Sequence, residues 1–204
     1  MPSKSKPDLT LNPEDIFAAE YAYIADTVFQ ANEDRSRIAS FYFVAVGSIV
    51  AAILGTQFAE DNLKSVALAF SVLFIFLTIL GTLTIAQLAR LRAAWYESVQ
   101  AMNQLKEFYI SAHPSMAPAF KWRGTTIPPS DKPFSIANLM AIEVALLGAV
   151  TTAVAVYFLI LAFSVTFPSW GWTPIVVSLF LGSGLQLWCY KSLLKSKRHA
   201  GESK

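Results

Sequence analysis

The chain has 204 residues, of which 54% are hydrophobic and only 15% are charged, and its formal net charge is +2. A soluble domain carries about 25% charged residues, so the composition excludes an ordinary soluble globular protein. One cysteine and two histidines leave no intrachain disulfide and no credible metal cluster, and the small positive charge is no footprint of nucleic-acid binding.

The shortage of charge is concentrated in four windows, each long enough for a helix to cross a bilayer, which takes about 20 apolar residues. These windows are residues 38–57, 65–88, 136–165 and 173–190. They lack the polar period of about 3.6 that marks a helix of a soluble bundle. The sequence therefore predicts an all-α membrane protein whose four transmembrane helices form two hairpins, without a cofactor.

The first predicted element is a long helix that begins near Asn12 and Pro13. Residues 1–12 are polar, and we expect a disordered tail without a cleavable signal. Asn12 suits a capping position and Pro13 suits the first helical position. An apolar stripe then recurs at spacings of three and four; its positions are Phe17, Tyr21, Ile24, Val28 and Ala31, and it continues through Arg35 into Ile38 and Tyr42. The pattern predicts one helix over residues 13–57, in which a cytoplasmic segment runs directly into the first span.

A charged junction, QANEDRSRIASFYF, stands where this helix meets the first span. Glu33 and Arg37 are four residues apart, the favourable orientation for an ion pair on a helix. Arg35 falls on the stripe, so we expect it to face the neighbouring helix, where carboxylates or backbone carbonyls receive it. The junction is interpreted as the cytoplasmic membrane boundary, with Arg37 as a positively charged anchor.

Small residues in the spans are spaced for close contact between helices. Without a hydrophobic driving force in lipid, such faces let backbones approach and gain dispersion contacts. The contacts can form within one chain or between subunits, and the pattern does not distinguish the two. The residues are Gly47, Ala51 and Gly55 in the first span, Gly148 in the third, and Ser178 and Gly182 in the fourth.

The second span continues as another long helix, to residue 113. Spacings of three and four persist beyond the membrane until Pro114. Because the outer connection, residues 58–62, is short, we expect the two long helices to be antiparallel neighbours. Their contact is expected within one chain; oligomeric use of other faces, and docking of a cytoplasmic partner on residues 88–113, are compatible with it. The repeating positions, which we call the seam, are Leu91, Trp95, Ser98, Met102, Leu105 and Tyr109.

Residues 114–133 hold five of the ten prolines and are predicted to be a cytoplasmic linker. In it, Trp122 and Arg123 suit an anchor at the level of the lipid headgroups, with an ordinary loop as the alternative. Trp170 and Trp172, between the third and fourth spans, are expected to anchor the outer interface. Residues 191–204 are predicted to be a basic cytoplasmic tail.

Lysine and arginine placement predicts the orientation. Four of these residues precede the first span, six lie between the second and third, five follow the fourth, and Lys64 alone lies in an outer connection. Cytoplasmic flanks keep the positive charge. Both termini and the central segment are therefore expected in the cytoplasm.

Glu143 is the one carboxylate within a predicted span. An ionisable residue in hydrocarbon costs at least about 2.5 kcal/mol on insertion scales, so it is a functional candidate. One interpretation places Glu143 at the cytoplasmic interface, where it would accept from Gln186 or pair with Arg37 or Arg90. The alternative is that Glu143 lines a pore or a proton path.

The layout of residues 20–55, EYAYIADTVFQANEDRSRIASFYFVAVGSIVAAILG, resembles two groups of small bacterial membrane proteins. These are the SLATT-type effectors of nucleotide-signalled defence systems and the RipA-like octameric membrane proteins. The resemblance covers roughly residues 13–113 and rests on architecture and the charged junction; the second hairpin departs from the two-span SLATT pattern. The resemblance implies a homo-oligomer of the bacterial inner membrane, and a pore is one form that such an assembly takes.

Three functional hypotheses follow. The sequence has no nucleotide-binding glycine loop, no HExxH pair and no Ser-His-Asp set, so we do not expect an enzyme. The leading hypothesis is a homo-oligomeric inner-membrane protein that acts as a pore, a signalling effector or a scaffold. The alternatives are a small transporter or proton-coupled channel that uses Glu143, and a subunit that docks a partner through residues 88–113.

Overall fold

The structure is a computed structural model that describes residues 12–55, 62–127, 129–130, 132–164 and 167–202, without the side chains of residue 13 and residues 195–202. Four long α-helices dominate the described part, and all four are long and apolar enough to cross a membrane. The predicted all-α class with four candidate spans is confirmed. The helices are α1 (Pro13–Leu54), α2 (Leu63–Ala112), α3 (Ile136–Phe163) and α4 (Trp172–Glu202), and short 3-10 helices cover Pro114–Ala119 and Ser169–Gly171.

The described residues fall into two compact units. Unit 1 takes its residues from Met1–Gln30 and Trp95–Pro128, and unit 2 takes its residues from Ala31–Ala94 and Pro129–Lys204. Unit 1 therefore holds the start of α1, the end of α2 and most of the linker. Unit 2 holds the remainder of α1 and α2 together with α3 and α4.

Helix α1 begins where the sequence predicts. The Asn12 side-chain Oδ1 accepts a hydrogen bond from the backbone N–H of Glu14 at 3.2 Å, so Asn12 satisfies one of the free donors at the helix start. The helix then runs without a break through the charged junction to Leu54. Residues 56–57 of the predicted first span, residues 58–61 of the connection and residues 1–11 of the predicted tail lie outside the described residues.

In unit 1, α1 and α2 lie side by side. The rings of Phe17 and Tyr109 are 5.9 Å apart, and Thr27 Oγ1 donates to Ser98 Oγ at 3.2 Å. From Phe17 to Thr27 the α1 chain advances by ten residues, while from Tyr109 to Ser98 the α2 chain goes back by eleven. The two segments are therefore antiparallel. The expected antiparallel pairing, with Ser98 and Tyr109 of the seam facing α1, is confirmed within this unit.

In unit 2, α1 and α3 both pack against α2 at close range. The ring of Tyr42, on α1, fills the space beside Gly81 of α2, where an added Cβ would lie 2.9 Å from Tyr42 Cζ. Thr78 Oγ1 and Thr151 Oγ1 lie 3.1 Å apart and join α2 to α3. The core around these contacts is apolar; its largest fully buried apolar side chains are Tyr42, Leu77, Ile85, Leu88 and Val144. Hydroxyl pairs and small residues thus bring the helices together without strong charges.

Helices α3 and α4 form an antiparallel hairpin. The position of a Cβ on Gly182 would lie 3.3 Å from Ala149 Cα and 3.4 Å from Thr152 Oγ1, so the backbones are in close contact. The Ser135 hydroxyl accepts from the N–H of Asn138 at 3.3 Å and caps α3. Helix α4 continues to Glu202, so residues 191–202, predicted as a basic tail, extend the helix. The end of the predicted third span, residue 165, is outside the described part.

A buried arginine cluster as the candidate functional site

Arg35 is buried in unit 2, with 5% of its surface exposed. The position of Arg35 on the apolar stripe of α1 turns the side chain towards the other helices, as the sequence predicts. Its Nε and Nη2 atoms, however, are buried without a hydrogen-bond partner among the described residues. The expectation that carboxylates or carbonyls receive this side chain is therefore wrong for these two nitrogens.

Arg92 lies in the same unit and is also buried, with 8% exposure. Its Nε donates to the backbone carbonyl oxygen of Ser130 at 2.9 Å. Ser130 stands in the approach to α3, so this bond ties the end of the second span to the start of the third. The guanidinium of Arg92 is thereby fixed in direction.

Tyr190, on α4, completes the group and is 3% exposed. Its hydroxyl oxygen lies 3.5 Å from the carbonyl oxygen of Ala137 on α3, which is a long hydrogen bond. The phenol interacts electrostatically with Arg35 and with Arg92. We call Arg35, Arg92, Ser130 and Tyr190 the arginine cluster. Arg35 lies on α1, Arg92 on α2 and Tyr190 on α4, and Ser130 lies in the segment before α3.

Two buried guanidiniums that lie near each other dominate the electrostatics of the arginine cluster. Burial, followed by the positive charge of Arg92, lowers the pKa of Arg35 below its ordinary value, and burial likewise lowers the pKa of Arg92. Both side chains keep their charge at neutral pH, because arginine is not deprotonated in proteins. A buried donor without an acceptor costs about 1–3 kcal/mol, and more when it is charged. The arrangement is therefore suited to receive an anion.

The other charged residues of the junction lie apart from this group. Arg37 Nη2 and Glu33 Oε1 form the predicted ion pair at 3.1 Å, and both side chains are exposed. Asp34 is half-buried and makes no ion pair in the part of the chain that is described. The junction thus holds one solvent-facing pair and one inward-facing arginine.

Glu143 and Gln186 are not brought together. Glu143 is exposed on α3, on a face shared with the exposed apolar residues Leu139, Leu146 and Val150. Gln186 is buried against Gly148, and its Oε1 has no hydrogen-bond partner among the described residues. Within the described chain, Glu143 makes none of the contacts expected with Gln186, Arg37 or Arg90. A path through Glu143 would therefore have to run along the outer surface of this chain.

The small residues divide into two sets. The space beside Gly148 and Gly182 is occupied by neighbouring residues of the same chain. Among the described residues, Gly47 has no atom within 4 Å of the position that its Cβ would take, Gly55 meets only its own helix, and Ala51 is exposed. Ser178 is half-buried and its hydroxyl donates to the Ile175 carbonyl of its own helix at 2.8 Å. The packing face of α1 is thus left open by a single chain.

The predicted anchor in the linker has a protein partner. Arg123 Nε donates to Glu107 Oε1 at 2.9 Å, and Arg123 Nη2 donates to Glu107 Oε2 at 2.6 Å. Trp122 beside it is 61% exposed. Trp170 and Trp172, at the turn between α3 and α4, are similarly exposed, at 63% and 61%. A groove of about 290 Å³ adjoins this anchor in unit 1; its lining residues are Tyr21, Lys106, Ala119, Phe120, Lys121 and Trp122.

Arg92, Ser130 and Tyr190 were not predicted as site residues. One signal in the sequence points to Arg92: it follows the second span by four residues, while Arg35 precedes the first span by three. In an antiparallel hairpin these positions lie at the same level. Ser130 and Tyr190 carry no comparable signal, because their contribution depends on how the second hairpin packs against the first.

Comparison with known proteins gives no relative from which to transfer a function. No protein-family model, no curated protein and no solved structure matches the chain. Among the described residues, no group of three or more His, Cys, Asp or Glu side chains is placed to hold a metal ion. The resemblance to SLATT-type and RipA-like proteins remains a hypothesis based on architecture.

Proposed function

We propose that the chain acts as a homo-oligomer in a bacterial inner membrane, assembled through the open face of α1. The observation that carries this proposal is the contrast between two sets of small residues. On α3 and α4, side chains or backbone of the same chain pack against Gly148 and Gly182, whereas no described residue comes within 4 Å of the position of a Cβ on Gly47 of α1. We call Gly47, Ala51 and Gly55 the α1 small-residue face.

A second copy of the chain suits the α1 small-residue face better than lipid does. Four-residue spacing of small side chains leaves a shallow groove, and Val44 and Leu54 near its two ends are largely exposed. Two copies that meet about a two-fold axis present the same groove to each other, so each fills the other. Close backbone approach then supplies the dispersion contacts that association in a bilayer requires.

Exposed aromatic residues on unit 1 support assembly outside the hydrocarbon. Tyr23 and Phe29 on α1 and Phe108 on α2 are all more than half exposed. The charge pattern predicts a cytoplasmic position for these segments, where lipid does not cover large apolar side chains. Such surfaces mark contacts with other proteins. Further copies of the chain fit this role, and a cytoplasmic partner that docks on residues 88–113 is the competing occupant.

A pore, an effector and a scaffold each require this assembly first. The mass of the particle in nanodiscs, measured by native mass spectrometry, tests it. We expect more than one copy for the wild type and a single copy for Gly47→Leu combined with Ala51→Leu, because the new side chains fill the groove. Gly184→Leu is the matched control, since Gly184 is also open on a membrane helix. A wild-type particle with one copy would refute the proposal.

A second candidate function, a proton-coupled channel or small transporter, is favoured by the position of Glu143. The Glu143 side chain stands exposed among apolar residues of α3. A carboxylate there is costly unless it works in a path or reaches water. Glu143→Gln should then reduce proton flux into liposomes at least tenfold while the particle mass stays unchanged. Equal flux in both proteins would exclude this role.

A further inference from the structure

We propose that the arginine cluster binds a phosphate group, which Arg35 and Arg92 hold together between the membrane-facing helices of unit 2. This inference does not depend on the number of copies in the assembly. It rests on the hydrogen-bonding capacity that Arg35 leaves unused, on the second guanidinium beside it, and on the level of both side chains at the membrane boundary.

The unused nitrogens of Arg35 are the two that form a fork. Nε and Nη2 lie along the same edge of the planar guanidinium, so their N–H bonds point in nearly parallel directions and match two oxygens of one anion. The chain shows this geometry elsewhere, at Arg123, whose Nε and Nη2 donate to both carboxylate oxygens of Glu107 at 2.9 and 2.6 Å. At Arg35 the same fork is buried and has no acceptor among the described residues.

Arg92 adds a second positive charge that is already oriented. Its hydrogen bond to the Ser130 carbonyl directs the guanidinium, and it lies close enough to Arg35 for the two charges to repel each other. An anion between two such groups turns this repulsion into attraction. A phosphate group has two oxygens to accept the fork of Arg35 and the negative charge to attract the neighbouring guanidinium of Arg92.

The level of the arginine cluster along the helices suits a phosphate. Arg35 precedes the first predicted span by three residues, and Arg92 follows the second by four. Lipid phosphates lie at this level, and basic pockets between membrane helices on the cytoplasmic side bind acidic headgroups. A soluble phosphate offers the same oxygens, so the two sources share one chemistry and are separated by experiment.

Thermal unfolding of the delipidated full-length protein in neutral detergent tests the site. The additions are phosphatidylglycerol, phosphatidylcholine, and inorganic phosphate at constant ionic strength with sodium chloride. We expect a rise of about 5 °C or more at saturation. A rise with phosphatidylglycerol alone identifies a lipid phosphate, and a rise with inorganic phosphate identifies a soluble one. If neither phosphatidylglycerol nor inorganic phosphate raises the melting temperature more than phosphatidylcholine does, the proposal is overturned.

Variants separate binding from a structural role of Arg35. Arg35→Gln should abolish the ligand-induced rise without lowering the melting temperature of the ligand-free protein, because it removes a buried charge that has no acceptor. Arg37→Gln, two residues away on the exposed surface, should keep the full rise. Arg35→Lys keeps the charge but not the fork, so we expect at least tenfold weaker binding. A full rise with Arg35→Gln, or its loss with Arg37→Gln, would contradict the assignment.

Discussion

Gly81 shows how a single residue sets a contact between membrane helices. The Tyr42 hydroxyl oxygen would lie 2.5 Å from a Cβ at position 81, and Tyr42 Cζ would lie 2.9 Å from it. Tyr42 is almost completely buried, so its rigid ring has no free space to move into. A glycine is therefore required here by close approach, in contrast to Gly184, whose surroundings are open.

We predict that Gly81→Ala destabilises the fold by about 1–3 kcal/mol, the usual cost of overpacking a tight core. Combining it with Tyr42→Phe should recover part of this loss, since the hydroxyl is the nearest obstacle. Gly184→Ala is the control and should be neutral or slightly stabilising, because alanine favours a helix over glycine. Unfolding in mixed micelles measures all three. Equal losses for Gly81→Ala and Gly184→Ala would show that space beside Tyr42 is not limiting.

At the scale of the elements, the linker is attached to α2 by one bidentate ion pair in unit 1. Arg123 binds both oxygens of Glu107, and the Arg123 hydrogen bond is the main cause that lowers the pKa of Glu107 below its ordinary value of 4.5. The positive charge of Arg123 lowers it further. Because the pKa is lowered in the folded state, the stabilisation is complete above about pH 4.5 and is lost as the pH falls through the lowered pKa.

We therefore predict that the linker loosens under acid conditions. Hydrogen-exchange protection of residues 120–126, corrected for the intrinsic pH dependence, should be constant above pH 5 and decrease as the pH falls below about 4. Glu107→Gln should show low protection at every pH, since it cannot form the ion pair. If Glu107→Gln shows the same protection as the wild type at neutral pH, the pair does not hold the linker.

The long helices were predictable from the sequence because their signals are local. The Asn12 cap, the unbroken spacing through the charged junction and the Glu33–Arg37 pair each depend on residues within one or two turns of a helix. The burial of Arg35 also follows from the stripe. The lack of acceptors for Nε and Nη2 of Arg35 could not be predicted in this way, because it depends on which side chains of three other elements pack around the guanidinium.

The packing of α3 and α4 was harder to predict for the same reason. A face of small residues predicts close contact and leaves the partner open. The structure uses Gly148 and Gly182 within the chain and leaves Gly47 uncovered. The contact of Gln186 with Gly148, rather than with Glu143, depends on the rotation of α4 about its axis. Periodicity along an almost uniformly apolar helix does not define this rotation.

At the scale of the whole molecule, the charge pattern predicts the orientation in the membrane. Fifteen of the 16 lysines and arginines lie in segments predicted to be cytoplasmic. Asn62, just before α2, and Ser115, in the linker, are both exposed and belong to opposite sides in this topology. Both sites are therefore accessible to a reagent in water on their own side of the membrane.

We predict opposite labelling at these two positions in intact cells. In a Cys189→Ser background, a membrane-impermeant maleimide should label Asn62→Cys before lysis and Ser115→Cys only after it. An outer membrane, where present, is permeabilised first so that the reagent reaches the periplasm. Labelling of Ser115→Cys in intact spheroplasts would invert the orientation, and labelling of both variants would argue against the predicted number of spans between them.

The central claim is that a second copy packs on the α1 small-residue face. Oxidative cross-linking in native membranes tests it most directly, because a disulfide forms only when two Cα atoms come within about 7 Å. In the Cys189→Ser background, Gly47→Cys should yield a covalent dimer with copper phenanthroline, and Gly184→Cys, equally open in the single chain, should not. No dimer at position 47, or equal dimer at both positions, would contradict the account.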